Sequence, residues 1–258
     1  MRILIKIGGA QLKQLGPRRK LCQAIKAAQQ QGHEVLVVHD GGSSCFTPED
    51  VMMSHGSYVN SMLVQSLQVC GVAAVGLTGA DGATFTATQI NRKNTERAPT
   101  GTLDQVNPTL VETLIRSNHV PVIATVAPLA LPTDKPSARS FFNIDADHAA
   151  GPLGRSFDCN ALLFLTDDGG VFDRHGRLMP LITEMDCERM MANGVASDDI
   201  QPKLKAAQCA AHENPTAIIK IAPAADDDCV VSALREGTGS RFFARVKHTH
   251  ELVARQHG

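Results

Sequence analysis

The sequence predicts an α/β protein built on one mainly parallel sheet with helices on both faces. Three observations predict it. The chain opens with an apolar run at 3–7, a helical stretch at 17–31 and a second apolar run at 34–38, the spacing of a βαβ unit with parallel strands. Both strands run into a glycine pair, Gly8-Gly9 and Gly41-Gly42. Short apolar runs then alternate with helical stretches to the end of the chain, without a repeat of fixed period. The length of 258 residues suits two lobes around a cleft, and the division is expected at 1–155 and 156–258.

Composition excludes several function classes. Hydrophobic residues make up 43% of the chain and charged residues 20%, as in globular proteins. The formal net charge of −1 gives no basic bias toward nucleic acid or a membrane surface. No apolar run is long enough to cross a bilayer, and the first residues lack a small-residue cleavage site, so a cytoplasmic location is expected. Seven cysteines, an odd number with no C-x-x-C, read as reduced thiols and not as a disulfide framework or a zinc site. No metal ligands are expected in the chain itself. His248, His250 and His257 lie on a polar tail that reads as solvated.

Ile3 to Ile7 reads as a buried strand that carries one lysine, Lys6. A buried ammonium is costly unless something anionic meets it. Glycines at the strand's end let the backbone approach a ligand and leave N–H groups free to face an anion. Lys6, Gly8 and Gly9 therefore point to a phosphate site; a solvated lysine on an edge strand is the alternative. The second glycine pair, Gly41-Gly42, favours phosphate, because open α/β sheets bind ligands at the carboxyl ends of their strands.

The remaining elements follow in order. Pro17 opens the first helix, whose inner face is Leu21, Ala24, Ile25 and Ala28. Thr47-Pro48-Glu49-Asp50 starts a helix that runs to about Cys70 with an interruption near Gly56. A strand at 72–75 enters a glycine-rich turn at 76–82, residues 83–91 alternate as in a hairpin or edge strand, and the polar stretch 92–105 reads as a surface excursion. Asn107-Pro108 opens a helix faced by Leu110, Leu114 and Ile115, and a strand at 120–126 precedes a proline-rich stretch at 127–140. Asn143 to Ala150 reads as the opening of a helix, in which Asp145 and Asp147 are either complements to the helix dipole or site groups. A strand at 161–165 ends on Thr166-Asp167-Asp168-Gly169-Gly170, and 171–178 reads as a hairpin. Thr183 and Asp186 make a capping-box pattern on a helix at 183–193. A helix follows Pro202-Lys203 to 212, then a strand at 218–221, a helix at 227–235 and a last strand at 241–244.

In their order these motifs resemble the amino acid kinase family, most closely the acetylglutamate kinases of arginine synthesis. Lys6-Ile-Gly-Gly9 is similar to the family's N-terminal lysine–glycine strand. Val38-His39-Asp40-Gly41-Gly42 is similar to its histidine-plus-three-glycines loop. Ala74 to Gly82 looks like its Gly-Leu-(Ser/Thr)-Gly stretch, in a form like that of kinases acting on aminoadipate or glutamate held on a carrier protein. Asn143-Ile144-Asp145-Ala146-Asp147 is similar to its asparagine–aspartate motif, Leu165-Thr166-Asp167 to its nucleotide-lobe strand, Pro202-Lys203-Leu204 to its second lysine motif and Gly237-Thr238 to its C-terminal one.

The resemblance implies an open three-layer αβα sandwich, usually a homodimer, that transfers the ATP γ-phosphoryl group to a carboxylate, with Mg2+ accompanying ATP. It implies catalytic roles for Lys6, Lys203 and Asp147, with Asp147 pairing with and orienting both lysines. Gly41, Gly42 and Asn143 would hold the amino-acid substrate, and Gly8, Gly9, Thr166, Asp167 and Lys203 the nucleotide. The sequence also departs from the family. Asp40 replaces the first glycine of its loop, Cys45 falls where an arginine grips the substrate, only Ser43 to Phe46 remain of a substrate-covering segment, and Asp198-Asp199-Ile200 replaces a glycine-glycine-methionine loop. Acetylglutamate is the default acceptor that the resemblance implies; the departures open the site to another small carboxylate and make a small carrier protein a candidate partner. A nucleotide- or metabolite-binding paralogue without turnover is the alternative, favoured by Asp40, Asp198 and Asp199 and opposed by the retained lysines.

Overall fold

The structure, a computed structural model, describes residues 1–8, 12–40, 52–90, 100–130, 141–193, 200–224 and 227–244, with the backbone alone for 52–55. Strand β1 (Arg2–Ile7), helix α1 (Leu15–Gln30) and strand β2 (Glu34–His39) open it. A π-helical stretch, Met52–Val59, runs straight into α2 (Asn60–Val69), so the interruption expected near Gly56 is a widened helix and not a break. Then come β3 (Ala74–Leu77), β4 (Phe85–Gln89), β5 (Thr100–Val106), α3 (Thr109–Arg116), β6 (Val120–Ala124), β7 (Val126–Pro128), β8 (Phe141–Ile144) and α4 (Ala146–Ser156). The chain continues through β9 (Ala161–Thr166), β10 (Leu181–Ile182), α5 (Glu184–Ala192), α6 (Ile200–Glu213), β11 (Ile218–Pro223), α7 (Cys229–Leu234) and β12 (Ser240–Phe242).

Eight strands form one sheet in the order β10-β12-β11-β9-β1-β2-β6-β3, parallel except where β11 meets β12. Side chains alternate across a strand, so a strand in the middle of such a sheet needs cover on both faces. β1 shows this. Ile3, Ile5 and Ile7 enter a core closed by α1, α2 and α7, while Leu4 enters a second core closed by α3, α4, α5 and α6. The result is the expected αβα sandwich, and its sheet runs without a break across residue 155.

The sheet is not alone, which corrects the reading of one sheet. β4-β5-β8-β7 form a second, four-stranded sheet over the carboxyl ends of β3 and β6. Residues 100–106, expected to be part of a surface excursion, are its strand β5, antiparallel to β4 and parallel to β8. Polar residues occupy its open side, where the hydroxyls of Thr88 and Thr102 lie 2.9 Å apart, and this hid it from a search for apolar runs. Gly101 lets the strands close: a Cβ there would lie 2.9 Å from the Thr88 carbonyl and 3.1 Å from the Phe142 Cβ. Asn143, read as a helix opening, belongs to β8, and the helix begins three residues later. The Thr183–Asp186 capping box at the start of α5 is formed in both directions. The histidines of the tail, His248, His250 and His257, lie outside the described residues.

Burial pushes the thiols of Cys22, Cys159 and Cys187 up to about 12. A thiol reacts as its thiolate, so these three should resist an alkylating reagent in the native protein at about pH 8 and react promptly in denaturant. Mass spectrometry of the labelled peptides reads this, and fast native labelling at any of the three would contradict the packing.

Candidate active site

Strand order reverses at β1. β2, β6 and β3 lie on one side of it, and β9, β11, β12 and β10 on the other. A crevice opens at the carboxyl end of the sheet at such a switch point, because the connections on either side leave in opposite directions. Lys6 is the penultimate residue of β1 at that end. Its side chain is 8% exposed, and its Nζ lies 2.7 Å from Asp147 Oδ1 and 3.9 Å from Asp40 Oδ2.

Asp147 stands in the first turn of α4. The N-cap of that helix is Asp145, whose carboxylate accepts the Asp147 N–H at 2.9 Å. The two acids therefore divide the alternatives the sequence left open: one caps the helix and the other meets the lysine. Burial lifts the Asp147 carboxyl above the usual range, the charge and hydrogen bond of Lys6 pull it back, and Asp145 and Asp40 push it up further. Asn143, two residues before the cap, is half-buried on β8 between β7 and β5. Gly8 is half-buried just past β1. Gly9, Gly41, Gly42, Cys45, Asp198 and Asp199 lie outside the described residues.

Across β1, Thr166 ends β9. Its buried hydroxyl accepts the Gly169 N–H at 3.2 Å, and the Ser240 hydroxyl accepts the Val171 N–H at 2.8 Å, so the turn between them is pinned at both ends. Gly169 takes φ +77°, a left-handed conformation open to glycine at little cost. Asp167 is exposed. Asp168, 61% exposed, has Oδ2 3.9 Å from Nζ of Lys203 in the first turn of α6. α4 and α6 pack closely: a Cβ at Gly151 would lie 3.1 Å from the Ala210 Cα, and Asn214 Nδ2 donates to the Gly151 carbonyl at 3.1 Å. Each precedes a strand parallel to β1, so both begin at the carboxyl end of the sheet. Lys203 thus shares that end and that face with Lys6. Among the described residues Lys6 pairs with Asp147 and Asp40, and Lys203 with Asp168.

Two features escaped the sequence reading. The fully buried His39 meets Asn60 of α2, whose Nδ2 lies 3.1 Å from its Nε2. A signal was present, since Asn60 shares a helical face with Leu63 and Leu67 and is the polar member of that stripe. Lys220 is a second buried lysine. It donates to the carbonyls of Arg235 at 2.6 Å and Thr238 at 3.1 Å, closing the end of α7. Burial and the charge of Arg241 lower its pKa, against Glu236. An ammonium there complements the helix C-terminus, a structural role.

With this arrangement in view, the comparisons agree. The amino acid kinase family pattern matches residues 1–220. Acetylglutamate kinase from Solibacter usitatus (strain Ellin6076) is 32% identical over 247 residues, covering 87% of this chain and 92% of that protein. Acetylglutamate kinase from Koribacter versatilis (strain Ellin345) is 28% identical over 276 residues, covering 98% and 99%. Among solved structures, smu.665 from Streptococcus mutans UA159 superposes with a TM-score of 0.74 at 18% identity, over 94% of this chain and 98% of that one. The chain belongs to the amino acid kinase family. It is an enzyme of the phosphotransferase class.

Asp147 gives a test with a definite sign. Its folded pKa is raised above the unfolded value, so between those two values the folded state holds more of this proton. This group's contribution to stability therefore falls as pH rises through that window and is constant below it. Carbon-13 NMR of the carboxyl should show titration above the ordinary aspartate midpoint, and Lys6→Met should raise the midpoint further by removing the cation that lowers it. A lower midpoint in that variant would refute the pairing.

Proposed function

We propose that the chain transfers the γ-phosphoryl group of ATP to the side-chain carboxylate of a small, acetylglutamate-like amino acid, giving ADP and an acyl phosphate. The observation that carries this reading is the buried Lys6–Asp147 pair at the carboxyl end of β1, where the strand order reverses. The names of the relatives supply the acceptor class and point to amino-acid synthesis, of arginine in particular.

Phosphoryl transfer asks for alignment and charge stabilisation more than for covalent chemistry. A carboxylate oxygen forms the new bond to Pγ while the bond from Pγ to the β,γ-bridging oxygen breaks, and ADP carries away that electron pair. No general base is required, because the acceptor is already ionised at neutral pH. Lys6 and Lys203 would meet the equatorial oxygens, and backbone N–H groups at Gly8, Gly9, Gly41 and Gly42 would orient them. Asp147, 2.7 Å from Nζ, would hold the Lys6 ammonium in place. Asn143, with Gly41 and Gly42, would hold the acceptor, and the Thr166–Asp167 turn the nucleotide, so residues 1–155 carry the acceptor side and 156–258 the nucleotide side.

Mg2+ would travel with ATP. Among the described residues no group of three His, Cys, Asp or Glu side chains is placed to hold a metal ion. The phosphates would supply most of its ligands. No helix of the described residues is long and apolar enough to cross a membrane. A cytoplasmic homodimer, with a carrier-bound amino acid as a second acceptor class, completes the proposal. The carrier is favoured by the short 43–46 segment. The paralogue without turnover is not favoured, since the buried Lys6 remains paired with Asp147.

The test is ADP release from MgATP with acetylglutamate, glutamate, aspartate, aminoadipate or no acceptor, with hydroxylamine to trap an acyl phosphate. We expect turnover on one acceptor, with Lys203→Ala or Lys6→Ala reducing kcat by about 10²–10³, as for loss of one oxyanion donor. Silence across the panel without nucleotide binding would refute the kinase reading.

A further inference from the structure

Asn60 packs on the face of the sheet opposite Lys6, in the core that holds Leu63 and Leu67, and it is 3% exposed. Its Nδ2 donates to the Val122 carbonyl on β6 at 2.9 Å and lies 3.1 Å from His39 Nε2 at the end of β2. A carbonyl only accepts, so Val122 fixes which end of the amide carries hydrogens. The other end, Oδ1, faces β3: a Cβ at Gly76 would lie 1.9 Å from it, and glycine alone leaves room. One side chain thus touches three neighbouring parallel strands near the site.

This contact dictates the state of the histidine. Nε2 faces an N–H donor, so it must present its lone pair, and the ring proton lies on Nδ1. Nδ1 is 3.1 Å from the Asp40 carbonyl, which can accept it. An imidazolium would set Nε2–H against the amide hydrogens in a fully buried site. Asp40 in turn reaches Lys6, with Oδ2 3.9 Å from Nζ.

We propose that Asn60 is a positioning residue for phosphoryl transfer: it locks His39 as the neutral Nδ1–H tautomer and, through the Nδ1–H bond to the Asp40 carbonyl, holds Asp40 so that its carboxylate stays beside Lys6. The catalytic half of this proposal rests on the kinase reading. The tautomer does not, and the two are tested apart.

Nitrogen-15 NMR of ring-labelled protein, with His39→Gln to assign the signal, should show Nδ1 protonated and Nε2 bare at neutral pH. Nε2–H in the wild type would overturn the proposal without any variant. Asn60→Asp offers Nε2 an acceptor, so the ring should gain a proton there, and kcat should fall about tenfold to hundredfold through misplacement. KM for MgATP should change less than about threefold, because a group set for the transition state leaves ground-state binding alone. Gly76→Ala displaces the amide without changing its chemistry and should lower kcat in the same direction. An altered ring with unchanged kcat would refute the positioning role. A chain inert toward every acceptor would count against the kinase reading, while the wild-type ring spectrum would still decide the tautomer.

Discussion

A positive charge on a central strand has to be neutralised where it lies, because the neighbouring strands and the helical layers leave it no path to water. Lys6 is that charge, and the placement of α4 answers to it. Asp147 can reach the ammonium only if the helix starts at the carboxyl end of β1, and Asp145 fixes that start by capping it. Removing one partner of a buried pair costs roughly 3–5 kcal/mol where the survivor stays charged. Here the survivor of a Lys6 loss is a carboxyl already raised by burial, which can take up a proton and avoid most of that penalty. The pair is thus better understood as a device for aiming an ammonium than as a source of stability.

Alternation along the strands divides the chemistry between two layers. Lys6 shares a face with Leu4, the face on which α4 and α6 bring Asp147 and Lys203 to the same end of the sheet. His39, one strand away, turns to the opposite layer and is gripped by α2. One face offers groups that can act on phosphate, and the other holds the strand ends in register. The small second sheet carries Asn143, the residue proposed to hold the acceptor. It leads through Asn143 on β8 directly into the cap of α4, so the proposed acceptor residue and the start of the helix that carries Asp147 share a single short run of chain.

Much of this was legible in the residues. The βαβ opening gives the sandwich, and the apolar run around Lys6 gives the buried lysine, because those signals are local and periodic. The second sheet was not legible: β5 has one solvated side and pairs across a distance in sequence, so its polar residues look like a loop. The contact of Lys203 with Asp168 was not legible either, since it depends on how α6 packs beside the end of β9. Asn60 carried a readable sign, a polar residue on an apolar stripe, but its meaning needed three strands that the sequence scatters over residues 39, 76 and 122.

The two outer strands of the large sheet are short, four residues in β3 and two in β10. An open sheet can in principle keep growing, since an unpaired edge offers its backbone to any passing strand. Edges this brief present only a few free hydrogen-bonding groups, too few to template another chain. A protein whose parallel strands must find distant partners while it folds is thereby shielded, at both margins, from recruiting its neighbours into fibrils.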